Sequence, residues 1–290
     1  MVKDASDRSE TSSGFTAWVV LAPFADRLEL AAAEAFESGA AGLEEREGEV
    51  IFYVTSGNAE RVRACLVAHD LAPTERRVPA ADWAEAWKAG LVAIDVSDRL
   101  RIRPSFVPGR APTGQTELVI DPGQAFGTGG HESTRLALEW IDALAPLPRG
   151  ARVLDVGSGT GVLALSALRL GAARAVAFDT DPDATRATRE NAGVNGLLDR
   201  VDTFTGEITA TRTEAFDLVV ANLLRSEMFP HLGAMAARAG AGARVVLSGL
   251  LGTDREPTHC ALTEVGLRAR AERTRTDASG TEWLALLASR

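Results

Sequence analysis

From Arg149 onward the sequence alternates two periodicities, and this alternation restricts the possible folds more than any other feature. ARVLDVGSG, ARAVAFDTD, RVDTFTG, FDLVVANLL and GARVVLSGLL are short apolar, β-branched runs. TGVLALSALRLGA, PDATRATRENAGVNG and RSEMFPHLGAMAARA among them carry helical spacing. Strands joined through helices pair in parallel, because a parallel connection needs a crossover, and near-continuous apolar runs suit strands buried on both faces. The expectation is an α/β, doubly wound, mostly parallel sheet. It ends in two strand-like runs within LRARAERTRTDASGTEWLALLAS, around a polar turn at Asp277 to Gly280.

The first third follows another rhythm. A polar tail, residues 1–14, is expected to be disordered. Residues 15–72 read as βαββα: the strand FTAWVVLA, the helix ADRLELAAAEAFESGA, the strands AGLEER and GEVIFYVTS, and the helix NAERVRACLVAHD, with Asn58 placed to cap it. A further strand at TERRVPA completes the pattern of a small ferredoxin-like α+β domain. Residues 73–95, with Pro73 and Pro79 near their start, read as a linker carrying the short helix ADWAEAWKAG. Its Trp83 and Trp87, four apart, suit packing on one helix face. Residues 96–290 form the second domain, in which AIDVSDRLRIRPSF and QTELVIDPG read as strands leading into a glycine-rich loop.

Charge and cysteine usage narrow the functional class. Of the net −9, residues 1–95 contribute −8, from 17 Asp/Glu against 9 Lys/Arg. That balance argues against direct nucleic-acid binding, which needs a basic patch; the acidic N-terminal region reads either as a merely solvating surface or, functionally, as a dock for a basic partner. No apolar stretch approaches the roughly 20 residues that span a bilayer, and MVKDASDRSETSSG lacks the order of a signal peptide. The chain is therefore expected in the cytoplasm, as a monomer. Cys65 and Cys260 lie far apart without CxxC spacing, so buried thiols are expected rather than a disulfide or zinc framework.

VLDVGSGTG, Val153 to Gly161, lies where a buried strand meets a helix, and carboxyl ends of parallel strands are where open α/β sheets bind ligands. Its glycines at 157, 159 and 161 follow GxGxG. The dinucleotide fingerprint GxGxxG would need a glycine where this chain has Val162, and no P-loop GK[ST] is present. Asp179 ends the next strand, where a carboxylate can accept both ribose hydroxyls. Asp181, the alternative, precedes Pro182 and suits a helix N-cap. Asp155 is positioned to face the cationic end of a ligand through a water or a backbone contact. Acidic residues without phosphate-binding machinery suit a positively charged nucleoside such as S-adenosylmethionine.

DVGSGTG followed by AVAFDTDP resembles the class I S-adenosylmethionine-dependent methyltransferases. DWAEAWK…RLRIRPSF, DPGQAFGTGGHESTRLALEW, GAARAVAFDTDPDA, DLVVANLL and GTEW are similar to signature segments of the PrmA type, the lysine methyltransferases of ribosomal protein L11. The resemblance implies a seven-stranded, Rossmann-like methyltransferase sheet beside a small substrate-recognition domain. It implies S-adenosyl-L-methionine as methyl donor, no metal, and a basic ribosomal protein as substrate, modified at lysine ε-amino and α-amino groups. Another protein or small amine as substrate, or a non-catalytic assembly factor that binds the donor, are the alternatives.

In this resemblance residues 123–134 fold over the donor, with Thr134 contacting it and Phe126 near the reacting methyl. Asp155, Gly157, Gly159, Gly161, Asp179, Thr180 and Asn222 complete the donor site. Asn222, with a backbone carbonyl such as that of Leu223, accepts hydrogen bonds from the substrate amine, although Asn222 could also cap the following helix. The chain departs from the family form GTGTHPTT: Gly130 replaces a threonine and Ser133 another. His131 is expected to hydrogen-bond the loop to its neighbours rather than to serve as a base.

Overall fold

A computed structural model of the chain describes residues 15–21, 31, 34–35, 38–46, 49–55, 57–78, 91–121, 130–211, 215–277 and 280–290. It divides into two compact units, Met1–Gly90 and Leu91–Arg290. The expected N-terminal tail and the linker helix with Trp83 and Trp87 lie outside the described residues.

In the first unit, β1 (Phe15–Leu21), β2 (Ala40–Arg46), β3 (Glu49–Thr55) and β4 (Thr74–Val78) form an antiparallel sheet in the order β2-β3-β1-β4. Ala31, Glu34 and Ala35 between β1 and β2 are helical, and α1 (Ala59–Ala68) joins β3 to β4. This is the ferredoxin-like order. β4 lies inside the stretch read as linker, because its pairing with β1 supplies hydrogen bonds that a bracketing proline does not forbid. One face of the sheet buries Trp18, Val20, Val50, Phe52 and Val54 against Ala31, Ala35, Val62 and Leu66. Asn58 stands at the N-cap of α1 but makes no capping bond; its amide donates to the Gly39 carbonyl instead, at 3.5 Å.

The second unit is built on the expected seven-stranded sheet, in the order β10-β9-β8-β11-β12-β14-β13. Here β8 is Arg152–Val156, β9 Arg174–Asp179, β10 Val201–Thr205, β11 Phe216–Asn222, β12 Ala239–Leu251, β13 Arg268–Thr276 and β14 Glu282–Ser289. β10 to β12 pair in parallel through β9, β8 and β11, while β14 runs antiparallel to β12 and to β13. Helices α2 (Glu132–Ala143), α3 (Val162–Arg169), α4 (Pro182–Val194), α5 (Arg225–Met228), α6 (Leu232–Arg238) and α7 (Arg255–Glu264) pack around it. Leu136, Ile141, Leu165 and Leu168 bury against one face with Val153, Leu218 and Val220. Met228, Leu232, Met235 and Leu262 bury against the other with Leu154, Val219 and Leu247.

Two features differ from the sequence expectation. The single helix expected over RSEMFPHLGAMAARA is interrupted by a 3₁₀ turn, Phe229–His231, that contains Pro230, which cannot donate to a helical ladder. α7 was not anticipated, and Cys260 on it is exposed rather than buried. The strands expected ahead of the glycine-rich loop are present as β5 (Ile94–Asp95), β6 (Leu100–Arg103) and β7 (Thr116–Val119), which form a separate three-stranded sheet.

Asn191 of α4 and Asn195 at its C-cap fasten that small sheet to the helix. Asn195 accepts from the Val119 N–H at 2.9 Å and donates to the Val119 carbonyl at 2.6 Å, as a neighbouring strand would. Asn191 does the same for Asp121, at 2.9 and 3.0 Å, and also donates to the Thr160 carbonyl at 2.9 Å. The base of the glycine-rich segment is thereby tied to the VLDVGSGTG turn. Replacing Asn191 by Leu leaves three backbone groups unpaired, and at roughly 1–3 kcal/mol per orphaned buried group, relieved in part by water, the expected loss is about 3 kcal/mol. Chemical denaturation of the Asn191→Leu variant measures it.

Candidate active site

β8 ends at the glycine turn, and Gly157 there has φ +72°. A Cβ at this position would lie 2.5 Å from Leu223 Cδ2, so both the backbone and the space demand glycine. The Gly157 and Ser158 N–H groups donate to the Phe178 carbonyl at 3.1 and 2.9 Å, which pins the turn to the end of β9. Gly161 is the N-cap of α3. Asp179 closes the arrangement: one carboxylate oxygen accepts from the Gly159 N–H at 2.9 Å and the other from the Asp181 N–H at 3.1 Å. Asp181 takes the helix-capping role, accepting from Asp183 N–H at 2.8 Å ahead of Pro182.

The N-terminus of α2 faces this turn. His131 caps it through Nδ1, which accepts from the Ser133 N–H at 3.3 Å and lies 2.8 Å from the Ser133 hydroxyl. Burial pushes the His131 imidazole pKa down, against the opposing pull of Asp277 and Glu132, so the neutral ring with an acceptor Nδ1 is favoured. The ring also meets Trp283 edge to face at 4.5 Å, and Trp283 in turn donates to Asp277 at 2.8 Å. These contacts are those of an organising residue.

Asn222 ends β11 beside that helix. Its amide nitrogen donates to the Thr134 hydroxyl at 3.0 Å, while its amide oxygen is buried and has no hydrogen-bond partner. Asn222 does not cap the next helix; Leu224 does, through its N–H to Glu227 at 3.4 Å. Behind Asn222, β12 supplies support that the sequence reading passed over. Ser248, fully buried, donates its hydroxyl to the Ser133 carbonyl at 2.7 Å, and its backbone carbonyl accepts the Leu223 N–H at 3.1 Å. The next residue, Gly249, has φ +85°, and a Cβ there would sit 2.5 Å from the Leu223 carbonyl oxygen.

Two adjoining cavities open over these residues. The first, about 390 Å³, is lined by Ser133, Thr134, Gly157, Gly159, Asn222 and Trp283, among others. The second, about 330 Å³, is lined by Phe178, Thr180, Glu207, Ile208 and their neighbours. Gly157, Asp179, Leu223 and Glu227 line both. The structure thus brings Thr134, Gly157, Gly159, Asp179, Thr180, Asn222 and Leu223 together. Gly161 lies one step behind the lining, and Phe126 is outside the described residues. Asp155 lines neither cavity: its carboxylate faces inward and accepts the Ala164 N–H of α3 at 3.0 Å, with the other oxygen buried and unpartnered.

A family model described as Ribosomal protein L11 methyltransferase (PrmA) matches residues 48–290. The chain belongs to this family. The L11 methyltransferase of Symbiobacterium thermophilum is 38% identical over 213 residues, covering 73% of this chain and 67% of the relative. That of Geobacter sulfurreducens is 41% identical over 185 residues, covering 64% of this chain and 60% of its own. A crystal structure of ribosomal protein L11 methylase from Lactobacillus delbrueckii subsp. bulgaricus superposes with a TM-score of 0.61 at 28% identity, covering 68% of this chain and 98% of that one. The seven-stranded sheet and its glycine turn are therefore those of a methyltransferase.

Burial, with the charge of Asp179 adding to it, pushes the Asp155 carboxyl up to about 7 despite the bond from Ala164. In the unfolded chain it titrates near its ordinary value of about 3.9. The folded form therefore holds the proton more tightly, and this residue's contribution to stability falls as pH rises from about 4 to 7, by at most about 1.4 kcal/mol per unit. Against an Asp155→Asn variant, the wild-type denaturation midpoint should decline across that window and run parallel above it.

Proposed function

We propose that the chain transfers methyl groups from S-adenosyl-L-methionine to lysine ε-amino and α-amino groups of ribosomal protein L11. The observation that carries this reading is the unpartnered, buried oxygen of Asn222 at the wall of the larger cavity. A buried acceptor left unsatisfied is costly, and this one has its orientation set because the amide nitrogen is committed to Thr134. An incoming amine supplies the missing donor.

The residues present fit a sulfonium nucleoside. Asp179 retains lone pairs for ribose hydroxyls beyond the two backbone bonds that it accepts, and Phe178, Thr180 and Ile208 give the smaller cavity a flat, largely apolar wall for a base. Thr134 and the glycine turn border the larger cavity, where the amino-acid end and the substrate amine would meet. The donor, when bound, supplies a methyl already activated for nucleophilic attack. The chain's own residues do the rest. Lysine, with an ordinary pKa of about 10.4, enters as an ammonium ion, and desolvation in the cavity favours the neutral amine. The Asn222 oxygen, with the Leu223 carbonyl beside it, then holds the N–H groups so that the nitrogen lone pair points along the transfer line, an orientation effect. Residues 123–134, with Phe126 and Thr134 among them, are assigned to covering the donor. The acidic N-terminal domain docks the basic substrate, and the enzyme acts as a cytoplasmic monomer. Among the described residues no helix is long and apolar enough to cross a membrane.

Two variants separate donor binding from transfer. Asp179→Ala should weaken S-adenosylmethionine binding about tenfold or more in calorimetry, from loss of a charge-assisted bond worth roughly 1.5–3 kcal/mol. Asn222→Ala should leave that affinity within a factor of about three while lowering kcat by about two orders of magnitude, the size typical of removing one aligning polar group. An Asn222→Ala enzyme with parental kcat removes the assigned role.

A further inference from the structure

The small unit carries a side-chain cluster that the methyl-transfer reading does not use. Glu34, in the helical segment between β1 and β2, and Cys65 and His69, one turn apart on α1 and at its C-cap, bring a carboxylate oxygen, Sγ and an imidazole nitrogen within 4.8 Å of one another. His69 Nε2 lies 2.8 Å from a Glu34 carboxylate oxygen, and Cys65 is half-buried between the helix and the core. Spacing of i, i+4 puts the thiol and the imidazole on one face of α1, and Glu34 comes to that face from a different part of the chain, 31 residues before Cys65.

We propose that Glu34, Cys65 and His69 bind a zinc-class divalent cation that ties the two helical segments of the N-terminal unit together. One thiolate, one imidazole and one carboxylate form a mixed S/N/O set, which suits borderline-soft Zn²⁺ or Co²⁺; Mg²⁺ and Ca²⁺ take oxygen ligands. Tetrahedral coordination with bonds of about 2.0–2.3 Å sets donor atoms roughly 3.2–3.7 Å apart. Reaching that from the observed spacing asks for movements on the order of 1 Å. Glu34, whose side chain is half exposed, can make them by rotation. Three protein ligands leave a fourth position for water. Binding displaces the Cys65 thiol proton to solvent, and the proton that Nε2 shares with Glu34 passes to Nδ1 as the tautomer changes, so a neutral imidazole ligates. The cation also lies at the carbonyl end of α1, where the helix dipole favours positive charge. A domain of this size buries little apolar surface, and a tie of this kind is one of the ways in which such domains gain stability.

Cobalt titration of the metal-free full-length chain under reducing conditions tests the site. One Co²⁺ per chain should bind with a thiolate-to-cobalt charge-transfer band and tetrahedral visible absorption. The band should vanish in Cys65→Ser and persist in Cys260→Ser, which controls for the exposed thiol next to His259. Glu34→Gln, a near-isosteric change on a half-exposed side chain, should weaken Co²⁺ binding about tenfold. Zn²⁺ should raise the thermal midpoint of the wild type and not that of Cys65→Ser. Absence of the band, its survival in Cys65→Ser, or unchanged affinity in Glu34→Gln would overturn the proposal and leave His69 and Glu34 as an ordinary hydrogen-bonded pair.

Discussion

The hydrogen bond from the Asn222 amide to the Thr134 hydroxyl is the contact on which the geometry of the larger cavity's wall depends. It joins the end of β11 to the first turn of α2, two elements 88 residues apart, and it decides which end of the Asn222 side chain is free. With the nitrogen occupied, only an oxygen acceptor is offered to the cavity. Ser248 reinforces the same junction from β12, holding the Ser133 carbonyl on one side and the Leu223 N–H on the other. Gly249 lets the Leu223 backbone lie against β12 without a side chain intervening. In the function proposed for this crevice these residues supply alignment rather than acid–base power, since the electrophile is delivered already activated.

The chemistry of the turn follows from its place in the sheet. β8 and β9 end side by side, so the Phe178 carbonyl can collect two N–H groups of the glycine turn and Asp179 can take a third. The turn is therefore fixed before any ligand arrives. A preorganised site spends less of its binding free energy on ordering. Asp155 contributes from below: its carboxyl group holds the start of α3, and burial pushes its pKa up to about 7.

Much of this was legible in the sequence. The alternation after Arg149 specified the parallel sheet because buried strands and crossover helices leave different periodicities, and the glycine spacing together with Asp179 pointed to the end of that sheet where the two cavities open. Asp181 before Pro182 announced a helix start, and the structure has it there. What escaped the reading lacked a local signal. α7 has a proline at its third position, tolerated in a first turn where the N–H has no helical partner, yet it obscures the pattern. β5 to β7 are too short to declare which sheet they join. Asn191 and Asn195 were read simply as helix; two poor helix formers four apart on one face were the available clue that side chains there substitute for a strand. Ser248 and Gly249 sat within an apolar run, and only the tertiary register shows their partners. Asp155 was assigned toward the ligand because its spacing to the glycines is suggestive, whereas the structure turns its carboxylate toward α3 instead.

The account's central claim is that this crevice aligns a protein amine with a sulfonium methyl. Its most direct test is incubation of the chain with methyl-labelled S-adenosylmethionine and the ribosomal proteins of a strain lacking this enzyme, followed by mass spectrometry of the labelled material. The account predicts label in ribosomal protein L11, on lysine ε-amino and α-amino nitrogen. Donor binding without label in any protein, or label confined to RNA, would contradict it.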